Sequence, residues 1–166
     1  MTATLTDLHD DTALHAAVLA LNAQHEVETA PLDAAGLEAR LRHACAAPAV
    51  LDQHGRLAGF LLAYAEESRL DAINFRWVQG HLNGFVYIDR VIVDPAARGN
   101  GVGRQLYAEA EAVARRRGAR WLACEVNAKP PNPVSDAFHA RLGFTLFGAG
   151  NPAPGKTVRY LRRAMP

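Results

Sequence analysis

Three glycines and an arginine lie close together in the middle of the chain, in the segment Arg98-Gly99-Asn100-Gly101-Val102-Gly103. Three glycines in five residues allow the backbone to turn sharply, so that several N–H groups can point into one concavity. A helical pattern follows at once, and its first N–H groups and positive dipole end would face the same place. These features predict an anion site, most naturally for phosphate, to which Arg98 can add a charged fork.

The glycine pattern differs from two common nucleotide-binding loops. A Walker loop is excluded because no Lys-Ser or Lys-Thr pair follows the last glycine. A dinucleotide fingerprint of the GxGxxG type starting at Gly101 would need a small third residue, and Leu106 stands there. We therefore expect a phosphate-binding loop of another kind.

A buried strand must lead into this loop and a helix must leave it. Residues 87–93 are rich in β-branched and aromatic side chains, which is typical of a buried strand. Asp94-Pro95 ends that strand, because proline cannot donate to a ladder. After the loop, apolar residues at helical spacing predict a helix to about Arg117, with Gly118 as its stop.

The rest of the chain is expected to alternate between helices and strands. The sequence predicts helices over residues 12–23, from Asp33 to about residue 44, and from Asn132 to Gly143. It predicts strands over residues 3–8, 49–51, 57–65, 120–126, 144–147 and 157–163. Residues 66–83 show no clear period, and no repeat or low-complexity tract interrupts the sequence.

Two ordered motifs resemble those of the GNAT superfamily of CoA-dependent N-acetyltransferases. The loop Arg98-x-x-Gly101-x-Gly103 is similar to the R/Q-x-x-G-x-G/A loop of that family. Further along, the segment Asn132-x-x-Ser135-x-x-Phe138-His139-x-x-x-Gly143-Phe144 is similar to the family pattern N-x-x-A-x-x-L-Y-x-x-x-G-F. The resemblance implies one domain over residues 1–166 with a GNAT-type α/β (α+β) fold. In that fold about four helices flank a mixed central sheet of about six to seven strands.

The resemblance also implies acetyl-CoA as the cofactor and no metal ion. In the family, backbone groups of the central strand meet the pantetheine and the thioester, which corresponds here to Val91 and Val93. A splay between this strand and the next would admit the pantetheine arm. The residues expected to contact the cofactor are Val91, Ile92, Val93, Arg98, Gly99, Asn100, Gly101, Val102, Gly103, Arg104, Asn132, Ser135, Phe138 and His139.

His139 departs from the family pattern, which often has a tyrosine at that position. The family tyrosine is thought to donate a proton to the departing CoA thiolate, and an imidazole, which titrates near neutral pH, could do the same. Helical spacing places Ser135 and His139 on one face, while Val134, Phe138 and Leu142 are expected to form a separate stripe facing the core. Two roles stay open for His139: general acid, or packing against the pantetheine.

Transfer to an amine requires a group that removes the proton of the amine, directly or through water. Asp89 is the leading candidate, since strand alternation would place it on the face of Val91 and Val93. Glu125, in the adjacent strand, is the other candidate. A structural role is equally open for both, because an acid in an apolar strand is costly unless it is paired, as Asp89 could be with Arg90, or exposed in a cleft.

The sequence does not specify the acceptor. The segment with Asn74, Phe75 and Trp77 lies where GNAT members often build the acceptor pocket, although Trp and Phe there are more often core than specificity residues. Asn127 could orient the substrate or cap the end of its strand. We expect direct transfer of an acetyl group to a small-molecule amine in a ternary complex. Two other functions fit the same residues: a non-catalytic acyl-CoA sensor, and a nucleotide-binding protein that uses residues 99–103.

Composition narrows the expected partners and location. The chain has 18 lysine and arginine residues against 17 aspartate and glutamate residues, a net charge of +1, which gives no case for a nucleic-acid or membrane partner. Cys45 and Cys124 make no disulfide framework, and the seven histidines lack the spacing of a metal site. No apolar run could span a bilayer and no signal peptide is visible, so we expect a cytoplasmic protein. A homodimer fits the family, but no residue requires one.

Overall fold

A mixed sheet of seven strands forms the centre of the protein, as seen in a computed structural model that describes residues 3–166. The strands are β1 (Thr4–Asp7), β2 (Pro48–Leu51), β3 (Leu57–Ala65), β4 (Phe85–Val93), β5 (Trp121–Lys129), β6 (Thr145–Ala153) and β7 (Lys156–Ala164). Their order across the sheet is β1-β2-β3-β4-β5-β7-β6. Only β4 and β5 are parallel neighbours; the other neighbouring pairs in residues 3–166 are antiparallel.

Helices cover both faces of the sheet. They are α1 (His15–Ala23), α2 (Glu26–Thr29), α3 (Ala34–His43), α4 (Ile73–His81), α5 (Val102–Arg116) and α6 (Pro133–Arg141). On one face, Leu106 and Ala110 of α5 pack with Leu122 and Val126 of β5. On the other face, α1 and α3 cover the β2–β3 side, and α4 covers the middle of the sheet through Phe75. Burial of these apolar stripes is the main force that holds the helices on the sheet.

The architecture confirms the predicted fold class, with six helices in the described residues where about four were expected. No sequence pattern predicted α2 or α4. In α4 only Phe75 and Val78 are buried, whereas Ile73 is 62% exposed. A stripe of two residues is too short to establish a helical period, which explains why residues 66–83 appeared irregular.

A bulge in β4 decides which of its side chains face which side of the sheet. The pairing of β3 with β4 runs from Ala63↔Ile88 directly to Leu62↔Arg90, so Asp89 has no partner in β3. An unpaired extra residue of this kind is a β-bulge, and it shifts the alternation of the strand by one position.

The prediction that Asp89 shares the face of Val91 and Val93 is therefore wrong. Val91 and Val93 pack on the α5 face, together with Ile88 from before the bulge. The carboxylate of Asp89 instead accepts a hydrogen bond from the hydroxyl of Tyr64, on the α4 face of the sheet. Side-chain alternation counted from the sequence fails here because it assumes an unbroken ladder.

The parallel pair β4 and β5 separates part of the way along. The two strands are paired only from Phe85↔Trp121 to Ile88↔Cys124. Beyond that point β4 stays on β3 and β5 stays on β7, so residues 89–93 and 125–129 are not paired with each other and border a gap at the carboxyl ends of both strands. This is the splay that the resemblance implied, and the loop into α5 lies at its mouth.

Candidate active site

The loop between β4 and α5 has backbone N–H groups that are free to bind a ligand. Gly99 and Gly101 have φ angles of 81° and 78°, in the left-handed region that favours glycine. The N–H of Gln105 is the first to bond within the helix, to the carbonyl of Gly101 at 3.0 Å. Within residues 3–166, no protein acceptor takes a hydrogen bond from the N–H groups of residues 99–104.

Charge at this loop suits an anion. Arg98 and Arg104 are exposed, and neither lies within 4.0 Å of a carboxylate of the described chain. The positive end of the α5 dipole adds to these two guanidinium groups. Free N–H groups, a helix start and unpaired arginines together fit the diphosphate of CoA.

The main chain of β4 presents further donors to the gap. The N–H of Asp94 donates to the carbonyl of Ala58 in β3 at 2.8 Å. In an antiparallel ladder the direction of these groups alternates along the strand, so the N–H groups of Val91 and Val93 point away from β3, into the gap. Ile92 itself is 3% exposed and packs on the α1 and α3 side, so its side chain is separated from the loop.

Helix α6 contributes an apolar wall beside the loop. A Cβ atom on Gly103 would lie 3.0 Å from Cζ of Phe138 and 3.8 Å from a methyl group of Val93. The structure thus brings together three residues that the sequence predicted separately. Val102 is 6% exposed and packs in the core, so of its atoms the backbone N–H remains available to a ligand.

The start of α6 follows the prediction, and its faces follow it only in part. Asn132 caps the helix, its side-chain oxygen accepting from the N–H of Ser135 at 3.2 Å. The predicted apolar stripe is confirmed for Phe138 and Leu142, which pack against the core under α5, and is wrong for Val134, which is 65% exposed. His139, which was expected on a separate face, is also buried, at 3% exposed.

Both ring nitrogens of His139 are occupied. Nδ1 lies 2.8 Å from the carbonyl oxygen of Ser135, which can only accept, so Nδ1 carries the proton. Nε2 then accepts from the hydroxyl of Tyr107 at 2.6 Å. Burial is the main influence on the imidazole and lowers the pKa of His139 from its ordinary value. The ring is a neutral bridge between α6 and α5.

On the α4 face of the gap, Glu125 is held by neutral donors. Its carboxylate accepts hydrogen bonds from the hydroxyl of Tyr87 and from the side-chain amide of Asn74, the latter at 3.3 Å. The pKa of Glu125 is raised from 4.5 to about 7, mainly by burial and to a smaller extent by the nearby charge of Asp89. A carboxyl group with this pKa can exchange a proton near neutral pH.

Asp89 lies beside this group in a different environment. Its carboxylate is 3.0 Å from Nε of Arg90 and 3.7 Å from Nε of Arg40, and it accepts from the hydroxyl of Tyr64 at 3.2 Å. The paired role that the sequence left open for Asp89, with Arg90, is therefore the one present. Glu125 has no such cation within 4.0 Å in the part of the chain that the structure describes.

The predicted acceptor residues have different surroundings. Asn74 lies at the site, where its side-chain oxygen also accepts from Tyr160 at 2.8 Å. Phe75 has no exposed surface and belongs to the core, so it offers no contact to a ligand in this structure. The ring of Trp77 is stacked between Tyr160 and His81, with both ring centroids 3.8 Å away, so neither of its faces is free.

Asn127 is 5% exposed and donates to the carbonyl of Val27 at 2.9 Å, which fastens α2 to β5.

Three tyrosines at the site went unpredicted. Tyr64, Tyr87 and Tyr160 bring their hydroxyl groups to Asp89, Glu125 and Asn74, respectively. Only Tyr87 had a sequence signal, since it lies two residues before Asp89 on the same strand. The other two come from β3 and β7, and their approach depends on pairings across the sheet.

Among residues 3–166, no group of three or more histidine, cysteine, aspartate or glutamate side chains is placed to hold a metal ion. None of the helices in the same residues combines the length and apolar character needed to cross a membrane.

Comparison with known proteins supports the motif assignment. The family model described as the acetyltransferase (GNAT) family matches residues 12–144. A search of curated proteins gave no significant match.

Among solved structures, nourseothricin acetyltransferase is 28% identical, with a TM-score of 0.59 over 73% of this chain. The chain spans 65% of that protein. Phosphinothricin acetyltransferase from Sinorhizobium meliloti, solved in complex with AcCoA, is 22% identical, with a TM-score of 0.70 over 99% of this chain and 89% of that one. Ard1 from Thermoplasma volcanium shares the fold at a TM-score of 0.78 and 14% identity, over 99% of both chains.

The family match covers the glycine loop, both strands that border the gap, and the whole of α6. This chain belongs to the GNAT family of acetyltransferases.

Proposed function

We propose that the protein transfers an acetyl group from acetyl-CoA to a primary amine by direct attack in a ternary complex. The observation that carries the proposal is the gap between β4 and β5. One side of it offers the glycine loop and free main-chain N–H groups, and the other side offers a carboxyl group that titrates near neutral pH. A bound thioester in the gap would lie between these two sides.

Glu125 is the proposed base. An amine enters mostly as its ammonium form, and the carboxylate of Glu125 accepts a proton from it, directly or through a water molecule. The freed lone pair attacks the thioester carbonyl carbon, a C–N bond forms, the C–S bond breaks, and CoA leaves as the thiolate. The nitrogen, which carries a positive charge after the attack, loses its second proton to the thiolate or to water, and this leaves the neutral amide. A base with a pKa of about 7 is well matched to this task, because it is both ionised and proton-accepting near neutral pH.

The N–H of Val93 is the proposed donor to the carbonyl oxygen as negative charge develops there. A fixed main-chain donor costs no reorganisation during the reaction, and removal of one such donor typically costs roughly 10²–10³ in kcat. The N–H and carbonyl of Val91 would hold the pantetheine arm, and the free N–H groups of residues 99–104 would hold the diphosphate. Acetyl-CoA supplies the activated acyl group.

His139 is assigned to positioning and not to acid catalysis. Its Nδ1 proton is donated to Ser135, and its Nε2 is occupied by Tyr107, so it has no free proton to give. The imidazole bridge holds α6 against α5 and so keeps the ring of Phe138 beside Gly103. The thiolate can leave as the anion, since its pKa is low compared with that of an alkoxide or amide.

A small-molecule amine is the proposed acceptor class. The carboxylates lie between α2, which Asn127 fastens to β5, and α4, whose Trp77 is stacked on Tyr160 of β7. Two of the similar structures are named as acetyltransferases for nourseothricin and phosphinothricin. A site with helices on both sides suits a compact amine better than an extended peptide.

A panel of amines incubated with purified protein and acetyl-CoA tests the proposal. We expect sustained release of CoA and a product heavier by one acetyl group in mass spectrometry with at least one small amine. Peptides with free N-termini form the comparison set. Tight CoA binding without turnover on any member of either set would contradict the enzyme and support a sensor, and a thermal shift with ATP or NAD but not with CoA would contradict both.

A further inference from the structure

We propose that Asp89 is a positioning residue for the base: a fixed anion, held by two arginines beside Glu125, that governs the pH at which Glu125 accepts a proton. This inference rests on the proposed role of Glu125. It replaces the alternative in which Asp89 takes the proton itself.

The two carboxylates lie at the point where the strands separate. Ile88↔Cys124 is the last pairing between β4 and β5, and Asp89 and Glu125 are the next residue of each strand. The bulge turns Asp89 toward the α4 face, where Glu125 also lies. The sheet therefore places both acids on one face, at the closed end of the gap.

A pair of stacked tyrosines connects them. The rings of Tyr64 and Tyr87 are 6.5 Å apart between centroids and inclined by 19°. One hydroxyl donates to Asp89 and the other to Glu125. Burial raises the pKa of both phenols well above their ordinary value, so both stay protonated and act only as donors.

Asp89 is the ion-pair partner of two arginines, whose charge is permanent. The side chain of Arg90 is 3% exposed, and its Nη1 donates to Asn22 of α1 at 2.6 Å, which directs the guanidinium toward Asp89. A guanidinium does not lose its proton in a protein, and a buried one needs an anion beside it. Arg40 of α3 approaches from the other side, and its buried Nε makes no hydrogen bond to a described residue, so its link to Asp89 is electrostatic.

Glu125 is the group at this site that is free to titrate. Its remaining neighbours are Tyr87 from β4, Asn74 from α4 and, through Asn74, Tyr160 from β7. The pKa of Tyr160 is raised to about 12 and that of Cys124, on the adjoining position of β5, is raised well above its ordinary value, so neither changes charge near neutral pH. The fixed charge of Asp89 disfavours a second anion nearby, and removing that charge should make Glu125 a stronger acid.

The experiment is a carboxyl ¹³C NMR titration of protein labelled at glutamate, with the Glu125 signal assigned by its absence in Glu125→Gln. In Asp89→Asn we expect the Glu125 midpoint to fall by roughly one pH unit, the usual size for a neighbouring charge. In Arg40→Gln, where a positive charge is lost, we expect it to rise. Asp52→Asn, the same change in the distant β2–β3 turn, is the matched control and should leave the midpoint unchanged.

The opposite signs of the two variants make the test decisive. A Glu125 midpoint that stays fixed or rises in Asp89→Asn overturns the inference. If Asp89→Asn does not fold, a midpoint that does not rise in Arg40→Gln has the same force. The titration needs no substrate, so it separates this inference from the proposed function: failure of the amine panel would remove the enzyme without touching the coupling between the two acids.

Discussion

The two faces of the gap between β4 and β5 are built on different principles. The cofactor face uses main-chain groups on one continuous stretch, from Val91 through the loop to Arg104. The acceptor face uses side chains from five separate elements, β3, β4, β5, β7 and α4, and these side chains include pairs far apart in sequence, such as Tyr160 and Asn74, 86 positions apart. The cofactor face therefore depends on residues close together in the sequence, and the acceptor face depends on contacts between distant residues. A substitution on one face should leave the other largely intact.

The largest expected effect is on the acceptor face, in Glu125→Gln. Loss of the base should lower kcat by roughly 10²–10⁴-fold, while the affinity for CoA stays unchanged because the glycine loop is untouched. Steady-state kinetics on an amine from the panel and calorimetric titration with CoA measure the two quantities. A large loss of CoA affinity in this variant would erase the distinction between the faces.

Removal of the His139 bridge between α5 and α6 should have the next largest effect. His139→Ala leaves the buried hydroxyl of Tyr107 without its partner, which should lower the free energy of unfolding by about 2 kcal/mol. KM for acetyl-CoA should rise as Phe138 loses its support, and the alkaline limb of the pH–rate profile should stay where it was. His43→Ala, at an exposed histidine, is the control. Loss of that alkaline limb would reinstate His139 as the general acid.

A smaller effect is expected from the cofactor loop itself. Gly101→Ala places a Cβ on a residue with φ of 78°, which costs about 1–2 kcal/mol, and should raise KM for acetyl-CoA by up to about tenfold. The acid limb of the pH–rate profile, which Glu125 sets, should not move. Gly80→Ala, within α4 and with nothing within 4 Å of the added Cβ, is the matched control and should stabilise the protein by about 0.5–1 kcal/mol.

The last expected effect concerns the pH dependence of stability and leaves turnover aside. Because the folded-state pKa of Glu125 is raised from 4.5 to about 7, the native state binds more protons than the unfolded state between those values, and stability falls as pH rises through this window. Glu125→Gln removes that dependence. Chemical denaturation should show the variant gaining stability relative to the parent chain on going from about pH 5 to about pH 8. If the stability difference between the variant and the parent chain is the same at both pH values, the pKa of Glu125 is not raised in the folded state.

The same contrast explains what could be predicted from the sequence. The loop, the strand before it, the helix after it and the cap of α6 at Asn132 all follow from residues within one turn of each other, and the structure has them as predicted. The side-chain contacts of the acceptor face could not be predicted in this way. One unpaired residue reversed the alternation at Asp89. The pairing of Asp89 with its neighbour Arg90 could be considered from the sequence, but the contact with Arg40 of α3 could not.

Two aromatic residues also show what local sequence cannot predict. Phe75 and Trp77 were placed by type and neighbourhood alone, and only packing could tell that one is enclosed and the other stacked on both faces. Gly148 makes that stack feasible, since a Cβ there would lie 2.1 Å from the indole ring. No local pattern connects residues 71 positions apart in this way.

The separation of β4 from β5 leaves an open ladder edge in the interior of the sheet, where nearly every other strand has two neighbours. The amide groups of a pantetheine arm could fill that vacancy much as a short strand would. CoA should then slow hydrogen exchange at the main-chain amides of Val91 and Val93 more than elsewhere in β4. The sheet would be continuous from edge to edge only when CoA is bound.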